Sequence, residues 1–87
     1  MMVRILYTSG FVRQYDELPD SIKEDVRERI ELLRADPRTP TLRTHKLKGS
    51  LEGKWSCRVN YRYRIVFCYD AKDTVALLGI GTHDIYQ

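Results

Sequence analysis

The residues of this sequence best suited to chemistry are two arginines, Arg58 and Arg64. Both lie in stretches where polar and apolar residues alternate, as they do in β-strands with one buried face. A guanidinium group binds a phosphate through two hydrogen bonds, and two such groups can stabilise the extra charge of a pentacovalent phosphorane. The pair therefore predicts a phosphate site if the fold brings both side chains to one place.

Positive charge is concentrated around these arginines. Residues 38–64 contain eight Lys or Arg and one acid, Glu52, so this segment carries a net charge of +7. The whole chain carries only +3, which leaves −4 for the remaining residues. A local excess of this kind attracts phosphate-bearing partners.

A histidine near the C-terminus could add proton transfer to this site. His83 follows a stretch with two glycines at 79 and 81, and Tyr86 comes shortly after it. An imidazole exchanges a proton near neutral pH without special tuning. A lone terminal histidine is more often an ordinary surface residue, but the neighbourhood of two arginines and a tyrosine favours a site.

Other kinds of site have little support in the sequence. The two cysteines, Cys57 and Cys68, are predicted to be reduced, because the strand register places them on opposite faces of the sheet. The cysteines and histidines lack zinc-site spacing, so we expect neither a metal nor another cofactor. No apolar run approaches the length of a membrane helix and no secretory signal begins the chain, which predicts a cytoplasmic protein that does not enter the membrane.

The hydrophobic patterning predicts an α+β fold in a single domain over residues 1–87. Three consecutive strands with short links form antiparallel neighbours, the first strand makes the sheet mixed, and two helices cover one face. The second helix is predicted to start with a capping box, in which Ser21 and Glu24 bond each other's backbone amides. The predicted order is a strand at 3–7, a helix from Thr8-Ser9 to Pro19, a helix from Ser21 to Asp36, and strands at 54–60, 63–70 and 74–81.

The register of the middle strands follows from keeping the apolar residues on one face. A three-residue turn at 60–62 pairs Val59 with Tyr63 and sets Arg58 opposite Arg64 on the face away from the helices. A two-residue turn would put apolar residues on both faces. Like charges directly opposite each other cost about 0.2–1 kcal/mol. Either the arginines splay apart in water, or an anion fits between them.

Four stretches of the chain resemble the RelE/ParE toxin superfamily in its RelE/StbE-type branch. The resemblance covers essentially the whole chain and is carried by residues 47–49 (Leu-Lys-Gly), 53–59 (Gly-Lys-Trp-Ser-Cys-Arg-Val), 63–67 (Tyr-Arg-Ile-Val-Phe) and 80–84 (Ile-Gly-Thr-His-Asp). It implies a toxin of a type II toxin–antitoxin pair that cleaves mRNA without a metal, mostly in the ribosomal A site. The ribose 2′-oxygen then attacks the adjacent phosphate, which leaves a 2′,3′-cyclic phosphate and a 5′-hydroxyl. The resemblance also implies an acidic antitoxin as partner.

The resemblance suggests a role for each matching residue. Arg64 matches the arginine that stabilises the phosphorane, and Arg58 matches a second basic catalytic position. His83 matches a general acid for the 5′-oxygen leaving group. Tyr86 lies near a terminal aromatic residue that stacks on a base or helps proton transfer, although the tail is one residue shorter than the common pattern.

The resemblance does not supply RelE's lysine base, since Ser56 stands where RelE has a lysine. His45 matches a histidine of YafQ-like toxins and is our candidate base, with a carboxylate elsewhere as its rival. Four further cations are predicted to hold the RNA backbone rather than to do chemistry, namely Lys46, Lys48, Lys54 and Arg62.

Two other functions stay open at this point. One is a ParE-like poison of DNA gyrase, which binds a protein and cuts no RNA. The other is an inactive module that only binds RNA or an antitoxin. The combination of Arg58, Arg64 and His83 favours the nuclease, because a gyrase poison has no need of a proton donor.

Overall fold

The computed structural model describes residues 1–82, which form a five-stranded sheet with two α-helices. The elements are β1 (Arg4–Tyr7), α1 (Ser9–Asp16), α2 (Asp20–Ala35), β2 (His45–Lys46), β3 (Trp55–Arg58), β4 (Tyr63–Ala71) and β5 (Thr74–Thr82). Short 3₁₀ turns at Pro40–Leu42 and Gly49–Leu51 flank β2. The predicted α+β class and order of elements are confirmed, and β2 is an additional short strand.

The strand order across the sheet is β1-β5-β4-β3-β2. β1 runs parallel to β5, whereas the other neighbours are antiparallel, so the sheet is mixed at the first strand as predicted. The chain therefore crosses from β1 at one edge through both helices to β2 at the other edge. This path places β3, β4 and the second half of β5 side by side.

Both helices pack on the same face of the sheet. Phe11 of α1 and Val26, Ile30 and Leu33 of α2 belong to one buried cluster with the inward residues of β3, β4 and β5. The periodic apolar stripe of α2 predicts this contact, since residues at steps of three and four share a helix face. The opposite face of the sheet is left for the arginines.

The two helix starts differ in how well the sequence predicted them. Thr8 caps α1, because its Oγ1 accepts a hydrogen bond from the Phe11 amide at 3.3 Å and donates one to the Leu77 carbonyl oxygen at 2.7 Å. The capping box of Ser21 and Glu24 is wrong. Helix α2 starts at Asp20, and Pro19 at the N-cap makes no side-chain capping bond. Its carbonyl oxygen accepts the amides of residues 22 and 23, so Ser21 already lies inside the first turn.

The buried position of Cys57 predicts a difference in reactivity between the two free thiols. Burial raises the pKa of the Cys57 thiol from 9.0 to about 12, whereas Cys68 is half-buried on the other face. Because the thiolate is the reactive form, we expect one thiol to react with a disulfide reagent at pH 8 in the native protein and two in denaturant. The native signal should vanish in Cys68→Ser; its persistence would contradict the burial of Cys57.

The same thiol makes the folded state sensitive to alkaline pH. An unfolded Cys57 loses its proton near its ordinary pKa of 9.0, whereas the folded one keeps it up to about 12. The folded state therefore binds the proton more tightly, and its stabilisation is complete below pH 9 and is lost as the pH rises toward 12.

Within residues 1–82, no helix combines the length and apolar character needed to cross a membrane.

Candidate active site

The site begins with the arginine pair that faces away from the helices. Arg58 lies directly opposite Arg64 in the β3–β4 ladder, in the register that the sequence predicted. Their neighbours Cys57 and Ile65 are fully buried in the core, so strand alternation turns both arginines to the other face. The Val59 amide bonds the Tyr63 carbonyl oxygen, which makes the arginine pair the closer, non-hydrogen-bonded kind with Cα atoms about 4.5 Å apart.

The turn between β3 and β4 is built by Asn60. Its Oδ1 accepts hydrogen bonds from the amides of Arg62 at 2.8 Å and Tyr63 at 2.9 Å. An asparagine side chain that bonds the backbone two and three residues ahead replaces part of a turn's own hydrogen bonding. It holds the three-residue turn that was predicted and thereby sets the register of the arginine pair.

The same turn also anchors the Arg64 side chain. Its Nη1 donates to the carbonyl oxygens of Asn60 and, at 3.0 Å, Tyr63. Among the described residues Nε and Nη2 have no partner, so one edge of the guanidinium group stays available to a ligand. The two carbonyl dipoles also offset part of the repulsion from Arg58, and they fix the group before any anion arrives. This anchor could not be predicted from residue types, because it depends on the direction of the backbone carbonyls.

Two glycines of β5 leave space beside the arginines. Gly81 lies opposite Arg64, and Gly79 lies opposite Val66, so β5 puts no side chain next to the pair on this face. Ser56 and Val66 are buried on the same face, one row away from the arginines. The result is a low, glycine-bordered surface next to two half-buried cations.

His45 lies in the row beside the arginine pair. It pairs with Ser56 across β2 and β3, two residues along the strand from Arg58, a step of about 7 Å. Its Nδ1 is 3.1 Å from the Arg43 carbonyl oxygen. A carbonyl can only accept, so Nδ1 carries the proton of the neutral ring and Nε2 keeps its lone pair. In this tautomer Nε2 is the nitrogen that can accept a proton.

The backbone that holds His45 is unusual. Arg43 has a positive φ of 48°, in the left-handed region, at the end of the 3₁₀ turn Pro40–Leu42. A residue with a Cβ takes this conformation at some cost, and such strain is concentrated at functional sites. Here it aims the Arg43 carbonyl oxygen at the imidazole.

The other predicted cations are dispersed. Lys46 follows His45 in β2 and therefore faces the opposite side, where its Nζ lies 5.4 Å from the centre of the Trp55 ring. The structure does not bring it to the arginine pair. Lys48 and Arg62 are exposed, and Lys54 is half-buried.

His83 and Tyr86 lie outside the described residues, which end at Thr82 opposite Tyr63.

A groove of about 580 Å³ adjoins Arg58 at the open end of β3. It is bordered by Asp25, Glu28 and Arg29 of α2 and by Arg43. The two carboxylates of Asp25 and Glu28 line the same groove as Arg58, and the sequence had not singled them out. Within residues 1–82, no three His, Cys, Asp or Glu side chains form a group that could hold a metal ion.

Comparison with known proteins shows the fold. Neither a protein-family model nor a curated protein matches the chain. Among solved structures, the RelBE2 toxin–antitoxin complex of Mycobacterium tuberculosis is similar, with a TM-score of 0.80, 24% identity and coverage of 95% of this chain and 100% of that one. YafQ from Escherichia coli strain BL21(DE3) has a TM-score of 0.80 at 16% identity, over 98% of both chains. The archaeal RelE–RelB complex of Pyrococcus horikoshii OT3 has a TM-score of 0.74 at 20% identity, over 94% of this chain and 96% of that one.

The chain therefore has the fold of the RelE/ParE toxins, and its structural neighbours are RelE- and YafQ-type proteins. The sequence resemblance predicted this fold, and at the level of the fold it is confirmed. The identities are low, so the side chains of the site have to be argued from this chain's own geometry.

Proposed function

We propose that this protein is the toxin of a type II toxin–antitoxin system and acts as a metal-independent endoribonuclease on mRNA. The observation that carries the proposal is the register pair of Arg58 and Arg64, half-buried on an open face with one guanidinium group anchored by backbone carbonyls. Two cations held so close together match the doubly charged phosphorane of RNA cleavage better than any neutral ligand.

In the proposed reaction, the two histidines and the two arginines have different roles. His45 Nε2 takes the proton from the ribose 2′-hydroxyl, and the 2′-oxygen forms a bond to the adjacent phosphorus. Arg58 and Arg64 stabilise the phosphorane. The bond to the 5′-oxygen then breaks, and His83 gives that oxygen a proton, so the products are a 2′,3′-cyclic phosphate and a 5′-hydroxyl.

Binding of the RNA strand is assigned to residues around this centre. Lys48, Lys54 and Arg62 neutralise phosphates on either side of the cut, which gives affinity without sequence preference. Tyr86 is assigned to stacking on a base. The proposed setting is the ribosomal A site in the cytoplasm, where mRNA is held single-stranded.

An acidic antitoxin is the proposed protein partner. One structural neighbour, RelBE2, is named as a toxin–antitoxin complex, and another is named as a RelE–RelB complex. The segment from 38 to 64, with its net charge of +7, would attract an acidic chain.

The proposal is tested by mapping mRNA ends in a translating bacterial extract. We expect added protein to produce cuts in phase with codons, each ending in a 2′,3′-cyclic phosphate. The same RNA without ribosomes shows whether cleavage needs the A site. Absence of cuts in both mixtures would contradict the nuclease, and gyrase-linked DNA breaks in a parallel assay would support a gyrase poison instead.

A substitution of His45 tests the assigned base. His45→Gln keeps a hydrogen-bonding side chain but cannot accept the proton, so we expect cleavage to fall by about 10²–10⁴-fold. Lys46→Ala, the next residue on the opposite face, is the control and should cleave at the wild-type rate. If His45→Gln is as active as wild type, Asp25 and Glu28 become the candidates for the base.

A further inference from the structure

A second groove, of about 690 Å³, lies on the helix-side face of the sheet, opposite to the arginine pair. It runs between the loop that follows α2 and the strands β3 and β4. Trp55 and Tyr69 form one wall, and we call this cavity the aromatic groove. Its volume is in the range of sites that bind a small ligand or the anchor side chain of a partner.

The aromatic groove has an apolar floor. The rings of Trp55 and Tyr69 meet edge to face, with centroids 5.5 Å apart and an angle of 87°. Val3 and Pro37 are buried beside them, whereas Tyr69 remains 39% exposed. A half-exposed tyrosine over buried apolar residues leaves surface that gains free energy when a partner covers it.

The rim of the aromatic groove is positive. Arg38, Arg43 and Lys72 are exposed at its border, and none of them forms an ion pair with any residue of the described chain. Among residues 1–82, Asp36 is the only acid that lines the groove, and it is already engaged. Its carboxylate bonds the Arg38 amide at 2.9 Å and lies 3.8 Å from the N-terminal ammonium of Met1. The rim therefore has three uncompensated cations.

An acidic protein segment fits this chemistry better than RNA does. Bases bind to aromatic side chains by parallel stacking on an open ring face. Here the edge-to-face arrangement of Trp55 and Tyr69 leaves no slot between parallel rings, and Lys46 already lies over the Trp55 ring. An apolar floor with cations above it suits a large apolar side chain flanked by carboxylates.

We propose that the aromatic groove docks an acidic segment of a partner protein through one aromatic or large aliphatic anchor. The identity of that partner as the antitoxin rests on the function proposed above, whereas the docking chemistry does not. Only the two-residue strand β2 separates the aromatic groove from the active-site face, with Lys46 on one side and His45 on the other. A partner anchored in the groove can therefore extend over β2 and cover the arginines.

The test uses selection of peptides from a random display library on the immobilised full chain. We expect the selected peptides to carry Asp or Glu on both sides of an aromatic or large aliphatic residue. Trp55 is the chain's one tryptophan, so its fluorescence should change in a saturable way when a selected peptide is added. Affinity should fall at least tenfold in Tyr69→Ala and in the double variant Arg38→Ala/Lys72→Ala. Arg13→Ala on α1 and Arg58→Ala should bind as wild type does.

Three outcomes would overturn the inference. The first is that no acidic peptide is selected, and the second is that the selected peptides bind the groove variants as well as wild type. The third is that a uridine octanucleotide changes Trp55 fluorescence and loses this effect in the groove variants, which would make the groove an RNA site. Cleavage by Arg38→Ala/Lys72→Ala should equal that of wild type. If wild type cuts no RNA but peptide binding behaves as expected, the nuclease proposal fails and the docking site stands.

Discussion

Replacing Arg64 with alanine is expected to lower mRNA cleavage by about 10²–10³-fold, the effect of removing one preorganised donor from a developing negative charge. The size of this effect follows from how Arg64 is held. Its Nη1 is bound to the carbonyl oxygens of Asn60 and Tyr63, so its free edge needs no reorganisation when the phosphorane forms. The loss should appear in the rate at saturating RNA, measured by the fraction of cut ends over time.

Arg64→Lys separates geometry from charge. A lysine keeps the positive charge but has one nitrogen, which cannot both hold the turn carbonyls and bind a phosphate at two points. We therefore expect Arg64→Lys to lose most of the activity that Arg64→Ala loses. Arg13→Ala, an exposed arginine on α1, is the matched control and should cut at the wild-type rate. Full activity in Arg64→Ala would remove this residue from the site without excluding the activity itself.

The arginine pair could be predicted because strand alternation leaves few choices. Trp55, Cys57 and Val59 must face the core, and the apolar set of β4 must face it too, so only registers differing by two residues remain. The anchoring of Arg64 could not be predicted in the same way. It depends on where the backbone carbonyls of the turn point, and the residue types of a turn do not determine that direction.

The wrong prediction at the start of α2 and the position of Lys46 both have a local physical origin. The capping box of Ser21 and Glu24 was inferred from residue types alone, but the Pro19 carbonyl oxygen accepts the first two helical hydrogen bonds, so the N-cap is Pro19 and not Ser21. Lys46 was grouped with the RNA-binding cations because of its charge. A strand of two residues then turned it to the other face, a consequence that only the boundaries of β2 could reveal.

The surroundings of the arginines on their own face of the sheet were also only partly predictable. Strand alternation places Ser56 on the same face as Arg58, and it does lie there, yet it is fully buried. Alternation gives the direction of a side chain but not what covers it. The same limit applies to the aromatic groove, whose border comes from the loop after α2 and from Lys72, far apart in sequence.

The largest expected change in stability comes from Phe67→Ala, in the middle of the strand that carries Arg64. Phe67 is fully buried and pairs with Trp55 and Leu77 across the sheet. The centre of its ring lies 5.9 Å from the centre of the Tyr69 ring. Removing a buried phenyl ring leaves a cavity and costs about 3–5 kcal/mol. A chain of this size has a total unfolding free energy of about 4–13 kcal/mol, so the variant should lose a large share of its stability. Urea denaturation at 15 °C would measure the loss.

The companion substitution Tyr61→Ala shows whether this loss comes from burial. Tyr61 lies on the turn next to the site and is 77% exposed, so its removal should change the unfolding free energy by less than about 0.5 kcal/mol. The folded fraction of Phe67→Ala should still cleave RNA at the wild-type rate, because Arg64 is held by carbonyls of the turn and not by the core. A normal unfolding free energy in Phe67→Ala would contradict the packing beneath β4. A folded but inactive variant would mean that the arginines depend on core shape as well as on the turn.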